Sequence, residues 1–238
     1  MSSASSVGAL HANLLTTLGT AIVSGELAAE QVLTLDRLSA EHMVSRSVAR
    51  EVVRVLESMG MVESRRRVGI TVQPCARWNV FDPRLIRWRL DSGDRAAQLA
   101  SLSELRRGFE PVAAALAARR ANADHCRVLA AAVSDMVMHG RSGDLYAYLA
   151  ADKLFHRTLL EASGNEMFRA LNDVVSEVLA GRTLHGLMPV TPNPVAIELH
   201  DEVARAVRLR DEDAAEKAMR AIIDEAATAV LDADDRGA

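Results

Sequence analysis

Apolar residues recur at helical spacing in three stretches of the first sixty residues, and turn or capping residues separate the stretches. In the first stretch Leu14, Leu18 and Ile22 share one face. Thr34 and Ser45 are suitable N-caps for the other two, because a side-chain oxygen there can accept a hydrogen bond from the first helical turn. The predicted helices span residues 10–23, 35–42 and 45–59.

After the third predicted helix the apolar residues no longer follow helical spacing. Residues 61–63 and 69–73 are typical of two short strands around an Arg65-Arg66-Arg67 tip, and Pro74 closes the unit. Two short helices joined by a tight turn, followed by a hairpin, predict a DNA-binding domain over residues 1–74 whose third helix can enter the major groove. Residues 75–82 are the predicted linker.

From residue 83 onward helical periodicity dominates and no alternating strand pattern is evident. The fold class is therefore mainly α, with an all-α antiparallel bundle of six or seven helices over residues 83–238. The predicted helices of this bundle span residues 83–90, 99–121, 123–139, 145–162, 165–184, 194–208 and 211–232.

Charge and composition narrow the classes of function. The net charge of −4 comes from the region after residue 76, since the first 76 residues carry seven Arg against seven acidic residues. No aromatic residue precedes Trp78, which disfavours the stacking platforms of single-strand binders. Cys75 and Cys126 lack a CxxC spacing, and we find neither a membrane-length apolar run nor a signal-peptide pattern. We expect a cytoplasmic protein without a membrane partner.

The third helix has one face for packing and another for recognition. The packing face is formed by Val48, Val52 and Val55. Arg46 and Arg50 are four residues apart on the opposite face, where an Arg can bond a guanine edge. The hydroxyls of Ser45 and Ser47 can reach a phosphate. The arginines of the hairpin tip extend this positive surface, although such a charge run is equally often only a solvated tip. One such helix reads few base pairs, so we expect a homodimer on palindromic double-stranded DNA.

The bundle carries polar residues where apolar ones are expected. Asp152 and His156 interrupt the apolar stripe of the helix over residues 145–162, and His200 does the same on the helix over residues 194–208. A buried carboxylate needs a cation, a metal or a hydrogen-bonded ligand. The three side chains are a candidate site for a divalent metal such as Zn²⁺ with an open position, although each His could equally be a satisfied core residue.

Three motifs of the front segment occur in the order helix, turn and hairpin: VSRSVAREVVRVLE at residues 44–57, GMV at 60–62 and GITV at 69–72. With these motifs the segment resembles the winged helix-turn-helix of GntR-type transcription regulators. The resemblance implies contacts to operator DNA by the residues singled out above and by Arg37, which precedes Leu38 in the second helix.

Three motifs of the back segment contain the polar residues of the bundle: LRRGFEP at residues 105–111, DKLFHRTLLEASGN at 152–165 and ELH at 198–200. With these motifs the segment is similar to the FCD effector-binding domain of the FadR branch of that family. The similarity implies that Arg106 grips a small carboxylate effector and that Asp152, His156 and His200 hold a divalent ion, while Ile222 stands where metal-binding members place their last His. The segment WNVFDPRLIRW at residues 78–88 is similar to that of galactonate-type regulators and implies a sugar acid as effector.

The main hypothesis is accordingly a metabolite-responsive transcription regulator, in the first place a repressor of a carbon-catabolism operon. The alternative is a metal-dependent enzyme that uses the two-His-one-carboxylate site, because such a site with an open position can activate water or oxygen.

Overall fold

The computed structural model describes residues 2–93, 95–185 and 192–237 of the chain. It divides into two compact units, Met1–Arg95 and Ala96–Ala238. The mainly helical fold class is confirmed, with a small sheet in the first unit and a helical bundle in the second. Within the described ranges, no helix combines the length and the apolar character that a membrane span requires.

The first unit follows the predicted order of three helices and a hairpin, with one additional strand. Its elements are α1 (Ser2–Val23), β1 (Val32–Leu33), α2 (Leu35–Glu41), α3 (Arg46–Ser58), β2 (Val62–Arg65), β3 (Gly69–Val72), a 3₁₀ turn (Cys75–Arg77) and α4 (Pro83–Leu90). The strands form one antiparallel sheet in the order β1-β3-β2, with Leu33 opposite Ile70 and Val62 opposite Val72.

Capping fixes where the two helices of the helix-turn-helix begin. The Thr34 hydroxyl accepts a hydrogen bond from the backbone N–H of Arg37 at 3.2 Å, and the Ser45 hydroxyl accepts one from Val48 at 3.3 Å. Both predicted caps are confirmed. The inner face of α3 buries Val52 and Leu56 against the core of the unit, so the opposite face of the helix is left to solvent.

Helix α4 packs in the core of the first unit rather than in the bundle to which the sequence analysis assigned it. The ring of Trp88 lies against α1 at Gly19, where the absence of a side chain makes room for it. Leu85 is also buried in the same cluster as the residues of α1 and α3. The predicted linker over residues 75–82 therefore leads into a helix that belongs to the first compact unit.

The second unit is a bundle built from long helices and one short helix. Its elements are α5 (Arg95–Arg120), α6 (Ala123–Ser142), α7 (Leu145–Ala162), α8 (Glu166–Arg169), α9 (Asn172–Leu184), α10 (Pro194–Leu209) and α11 (Glu212–Gly237). The helix predicted over residues 165–184 is thus two helices. Asn165 caps the short α8 by accepting a hydrogen bond from Met167, and the break falls at Ala170 and Leu171.

Small side chains dominate the core of the bundle. Ala114, Ala117 and Ala118 of α5 are fully buried, and Ala132 of α6 and Ala151 of α7 belong to the same cluster. Small residues allow neighbouring helices to approach closely. Five buried polar residues contrast with this apolar core and are in contact with one another: Arg106 and Glu110 of α5, Asp152 and His156 of α7, and His200 of α10.

Candidate functional site

The exposed face of α3 carries the candidate DNA-reading residues. The side chains of Arg46 and Arg50 are exposed, and the Ser45 and Ser47 hydroxyls lie 3.0 Å apart at the start of the helix. Arg46 forms an ion pair with Asp36 of α2. Because both partners are mostly exposed, this pair is weak and a phosphate or a base can replace the carboxylate.

The remaining candidates surround this helix. Arg37 pairs with Glu41 within α2 at 2.7 Å, and Arg65 of β2 pairs with Glu63 at 2.9 Å. Arg66 and Arg67, at the turn between β2 and β3, are exposed and have no ion pair among the residues that the structure describes. The hairpin therefore presents two uncompensated guanidinium groups, which suits contact with a phosphate backbone.

A buried polar cluster forms the second candidate site. Asp152 and His156 lie one turn apart on α7, and His200 lies on α10. The Nε2 atoms of His156 and His200 are 3.4 Å and 3.3 Å from the same oxygen, Asp152 Oδ1. All three side chains are buried, and one potential ligand atom from each lies within 4.8 Å of the others. The three residues predicted from the sequence are thus brought together.

The Nδ1 atom of each His has a polar neighbour. His200 Nδ1 donates to the backbone carbonyl of Ala196 at 2.6 Å, and His156 Nδ1 lies 2.8 Å from Glu110 Oε2. A His that donates through Nδ1 presents the lone pair of Nε2 on its other side. With both imidazoles neutral, the two Nε2 atoms would present their lone pairs on the side of Asp152, which is the donor arrangement that a divalent metal requires.

Glu110 is a member of the cluster that the sequence analysis missed. It is fully buried on α5, and its oxygens accept from Arg106 Nε at 2.6 Å and from Arg106 Nη2 at 3.3 Å. Its signal in the sequence is the four-residue spacing from Arg106, which places the two side chains on one helix face. Arg106 is buried as well, and its Nη2 is 3.5 Å from His156 Nε2.

The charges in this cluster shift one another's protonation. Burial alone would raise the pKa of Glu110, but Arg106 and then His156 outweigh it and lower the pKa to about 2. The same competition holds the pKa of Asp152 well below its usual value, with His156 and His200 as the opposing partners. Burial disfavours a proton on His156, yet Glu110 and Asp152 raise its pKa. The cluster is ionic as well as buried.

Side chains from α7, α9 and α11 complete the wall of a small cavity over the cluster. Tyr148, Arg182 and Glu225 line it, together with Ile222 from the position where metal-binding relatives are expected to carry a His. The cavity has a volume of about 30 Å³, room for an ion with one or two waters. Neither Tyr148 nor Arg182 was singled out from the sequence.

The donor set fits a divalent ion. Asp152 Oδ1 and His200 Nε2 are buried without a well-directed hydrogen bond, and so is His156 Nδ1 apart from its ion-pair contact with Glu110. Buried polar atoms of this kind need a partner. A divalent ion bound by the two imidazole Nε2 atoms and the carboxylate would be that partner for Asp152 Oδ1 and His200 Nε2. Ile222, which also lines the cavity, offers no fourth ligand.

Comparison with known proteins gives the two segments separate matches. Residues 11–72 match the family profile described as "Bacterial regulatory proteins, gntR family", and residues 101–225 match the profile of the FCD domain. Among curated proteins, the galactonate operon transcriptional repressor of Escherichia coli K12 is 29% identical over 209 residues, which are 87% of this chain and 90% of that protein.

Two solved structures share the fold. The E. coli protein McbR/YncC matches with a TM-score of 0.53 at 16% identity, over 94% of this chain and 97% of that one. Lar, which controls the expression of the agr system of Listeria monocytogenes, matches with a TM-score of 0.54 at 18% identity, over 93% of this chain and 96% of that one.

Proposed function

Because the chain belongs to the GntR family of bacterial regulatory proteins and carries an FCD domain, we propose that it is a repressor that a small carboxylate releases from its operator. The family is one of DNA-binding transcription regulators, so the chain is a regulator and not an enzyme. The alternative of a metal-dependent enzyme is wrong.

The observation that carries the effector part of the proposal is the buried ionic cluster behind the cavity. A bundle with an alanine-rich core has no structural need for Asp152, His156 and His200 at its centre, since well-packed apolar residues in their place are often as stabilising. Asp152, His156 and His200 would hold a divalent ion such as Zn²⁺, which supplies a positive centre for an anionic oxygen when bound. The guanidinium edge of Arg106 that Glu110 leaves free would bind the carboxylate of the effector.

A sugar acid is the effector that we propose. The support is the similarity to the galactonate operon repressor and the polar character of the cavity wall, where Tyr148, Arg182 and Glu225 lie. A cavity of about 30 Å³ is far below the roughly 300 Å³ of a typical small-molecule site, so the residues that line it must move to accept such a ligand. That requirement couples the ligand to the conformation of the protein.

The DNA part of the proposal assigns base and phosphate contacts to α3 and to the hairpin. Two copies of the chain would bind a palindromic operator in the cytoplasm, with Arg46 and Arg50 reading bases and Ser45 and Ser47 contacting phosphate. An effector that prefers the DNA-incompetent arrangement a hundredfold shifts the equilibrium by about 2.7 kcal/mol, enough to empty a marginally occupied operator.

The test is the affinity of the purified protein for the DNA upstream of its own gene, measured by fluorescence anisotropy at moderate salt. We expect the double variant Arg46→Ala/Arg50→Ala to bind at least about thirtyfold more weakly, because each base contact is worth about 1 kcal/mol or more. The matched control is Arg127→Ala/Arg157→Ala, which removes two exposed arginines of the bundle. Equal affinity of the two double variants would refute the assignment of α3.

A further inference from the structure

Arg182 of α9 is a half-buried cation whose Nε is fully enclosed and has no acceptor. It lines the cavity, its Nε is buried without a hydrogen-bond partner, and it has no ion pair within residues 2–93, 95–185 and 192–237. Burial, followed by the charge of Arg106, lowers the pKa of Arg182. A guanidinium with several N–H donors in such a place favours a ligand that brings acceptor oxygens.

The other arginine of the cavity, Arg106, has an ion-pair partner. Arg106 donates through Nε and Nη2 to Glu110, so its charge is compensated within α5. The two guanidinium groups therefore have different capacities for a ligand. Arg106 can offer its remaining edge, whereas all the side-chain donors of Arg182 lack an ion-pair partner among the described residues.

The neighbours of Arg182 supply the complementary half of a polar wall. The Tyr148 ring is buried and lines the cavity, and Glu225 of α11 lines it as well. Asn193 donates from Nδ2 to Glu225 Oε1 at 3.0 Å, which fixes that carboxylate and leaves it able to accept further hydrogen bonds. Donors and acceptors side by side match hydroxyl groups, each of which both donates and accepts.

The balance of formal charge indicates how many negative charges the ligand brings. With both imidazoles neutral, as metal ligation requires, the charges of Arg106 and Arg182 and of the carboxylates of Glu110, Asp152 and Glu225 give a net of −1. A divalent ion on the His and Asp ligands changes this to +1, which one carboxylate neutralises. A second carboxylate would leave an uncompensated buried charge, which is strongly unfavourable.

We propose that Arg182, with Tyr148 and Glu225 beside it, binds the hydroxyl groups of the effector and makes the site selective for polyhydroxylated monocarboxylates. This inference rests on the proposed function, because it presupposes a carboxylate in the same cavity. Arg182 is then the specificity-determining residue, while the Arg106 and metal side of the cavity binds the carboxylate common to all such acids.

The experiment is titration calorimetry on the full chain loaded with Zn²⁺, using four six-carbon probes. D-Galactonate and D-gluconate carry one carboxylate and several hydroxyls, hexanoate lacks the hydroxyls, and galactarate carries a second carboxylate. The variants are Arg182→Met, which removes the charge, and Arg182→Lys, which keeps the charge but loses the planar fork. Arg157→Met, at an exposed site on α7, is the matched control.

We expect the wild type to bind at least one aldonate at least tenfold more tightly than hexanoate or galactarate. Arg182→Met should lose that advantage while its affinities for hexanoate and for Zn²⁺ stay within twofold of wild type, and Arg182→Lys should recover part of it. Aldonate affinity that is unchanged in both variants would overturn the inference, and so would an equal loss for hexanoate or a preference for galactarate. If the wild type binds none of the four acids, the proposed function itself fails.

Discussion

At the scale of single residues, Glu110 holds the polar cluster together, because its carboxylate contacts both Arg106 and His156. We predict that Glu110→Gln lowers the free energy of unfolding of the second unit by about 3 to 5 kcal/mol, since it leaves the Arg106 cation buried without its partner. Urea denaturation followed by circular dichroism measures this. Glu161→Gln, which removes one exposed ion pair with Arg157, should cost less than about 1 kcal/mol.

The same residue gives stability a defined dependence on pH. The pKa of Glu110 falls from 4.5 to about 2 on folding, so its stabilising contribution is complete above pH 4.5 and is lost as the pH falls toward 2. The difference in unfolding free energy between wild type and Glu110→Gln should therefore shrink below pH 4.5. A difference that stays constant down to pH 2.5 would contradict the ionic role of this carboxylate.

Ile222 offers a second prediction at this scale. It lines the cavity beside the three candidate ligands, at the position where the family resemblance expects a His. We predict that Ile222→His raises the affinity for Zn²⁺ at least tenfold, because it adds a nitrogen ligand to a three-ligand set. Competition with a chromophoric chelator measures the affinity, and Ile222→Leu serves as the control for volume. Equal affinities of the two variants would place the ion elsewhere.

The sequence predicted some residues of the cavity and not others for a physical reason. Asp152, His156 and His200 interrupt apolar stripes, so their inward direction follows from helical periodicity alone. Arg182 gives no such signal, since a polar residue near the end of a helix is ordinarily exposed. Its place in the cavity wall depends on α7 and α11 approaching from other parts of the chain, and no local pattern contains that information.

At the scale of elements, the contact between α1 and α4 depends on one missing side chain. A Cβ at Gly19 would lie 2.3 Å from the ring of Trp88. We predict that Gly19→Ala lowers the free energy of unfolding of the first unit by about 1 to 3 kcal/mol, the usual range for overpacking, as measured in urea. Gly8→Ala on the same helix has nothing within 4 Å and should be neutral or stabilising by up to about 1 kcal/mol.

Element boundaries were predictable where a cap or a breaker marks them. The observed limits of α4 and α7 coincide with the predicted ones, since Asp82 and Asp144 accept hydrogen bonds from the first turn of each helix. Strand β1 has only two residues and forms by pairing with the edge of β3. A segment this short shows no alternation of apolar and polar residues, so the sequence did not predict it. The placement of α4 was also missed, because its partner Gly19 is nearly seventy residues away in sequence.

At the scale of the whole molecule, the charges are divided between the two compact units. Met1–Arg95 has 12 basic and 10 acidic residues, a net of +2, while the remaining residues have 16 basic and 22 acidic, a net of −6. The overall charge of −4 therefore hides a positive DNA-binding unit. The acidic second unit is repelled by the phosphate backbone, which favours approach to DNA by the first unit.

This division leads to a prediction about salt. Operator affinity should fall steeply with salt concentration, and Arg66→Ala/Arg67→Ala should make the slope of log affinity against log salt shallower by about 4 for a dimer, at about 0.9 for each lost phosphate contact. Anisotropy titrations between 50 and 200 mM KCl measure the slope. A change of about 2 would indicate that only one hairpin of the dimer contacts the DNA. An unchanged slope would show that Arg66 and Arg67 make no phosphate contact.

The narrow cavity over the ionic cluster also has a kinetic consequence. A space of about 30 Å³ is too small for a six-carbon acid, so the residues that line it must rearrange before such a ligand can occupy it. Mixing experiments should then give an observed rate that levels off at high ligand concentration, at a plateau equal to the rate of this rearrangement. An observed rate that instead rises in proportion to ligand concentration would show that the rearrangement is faster than binding.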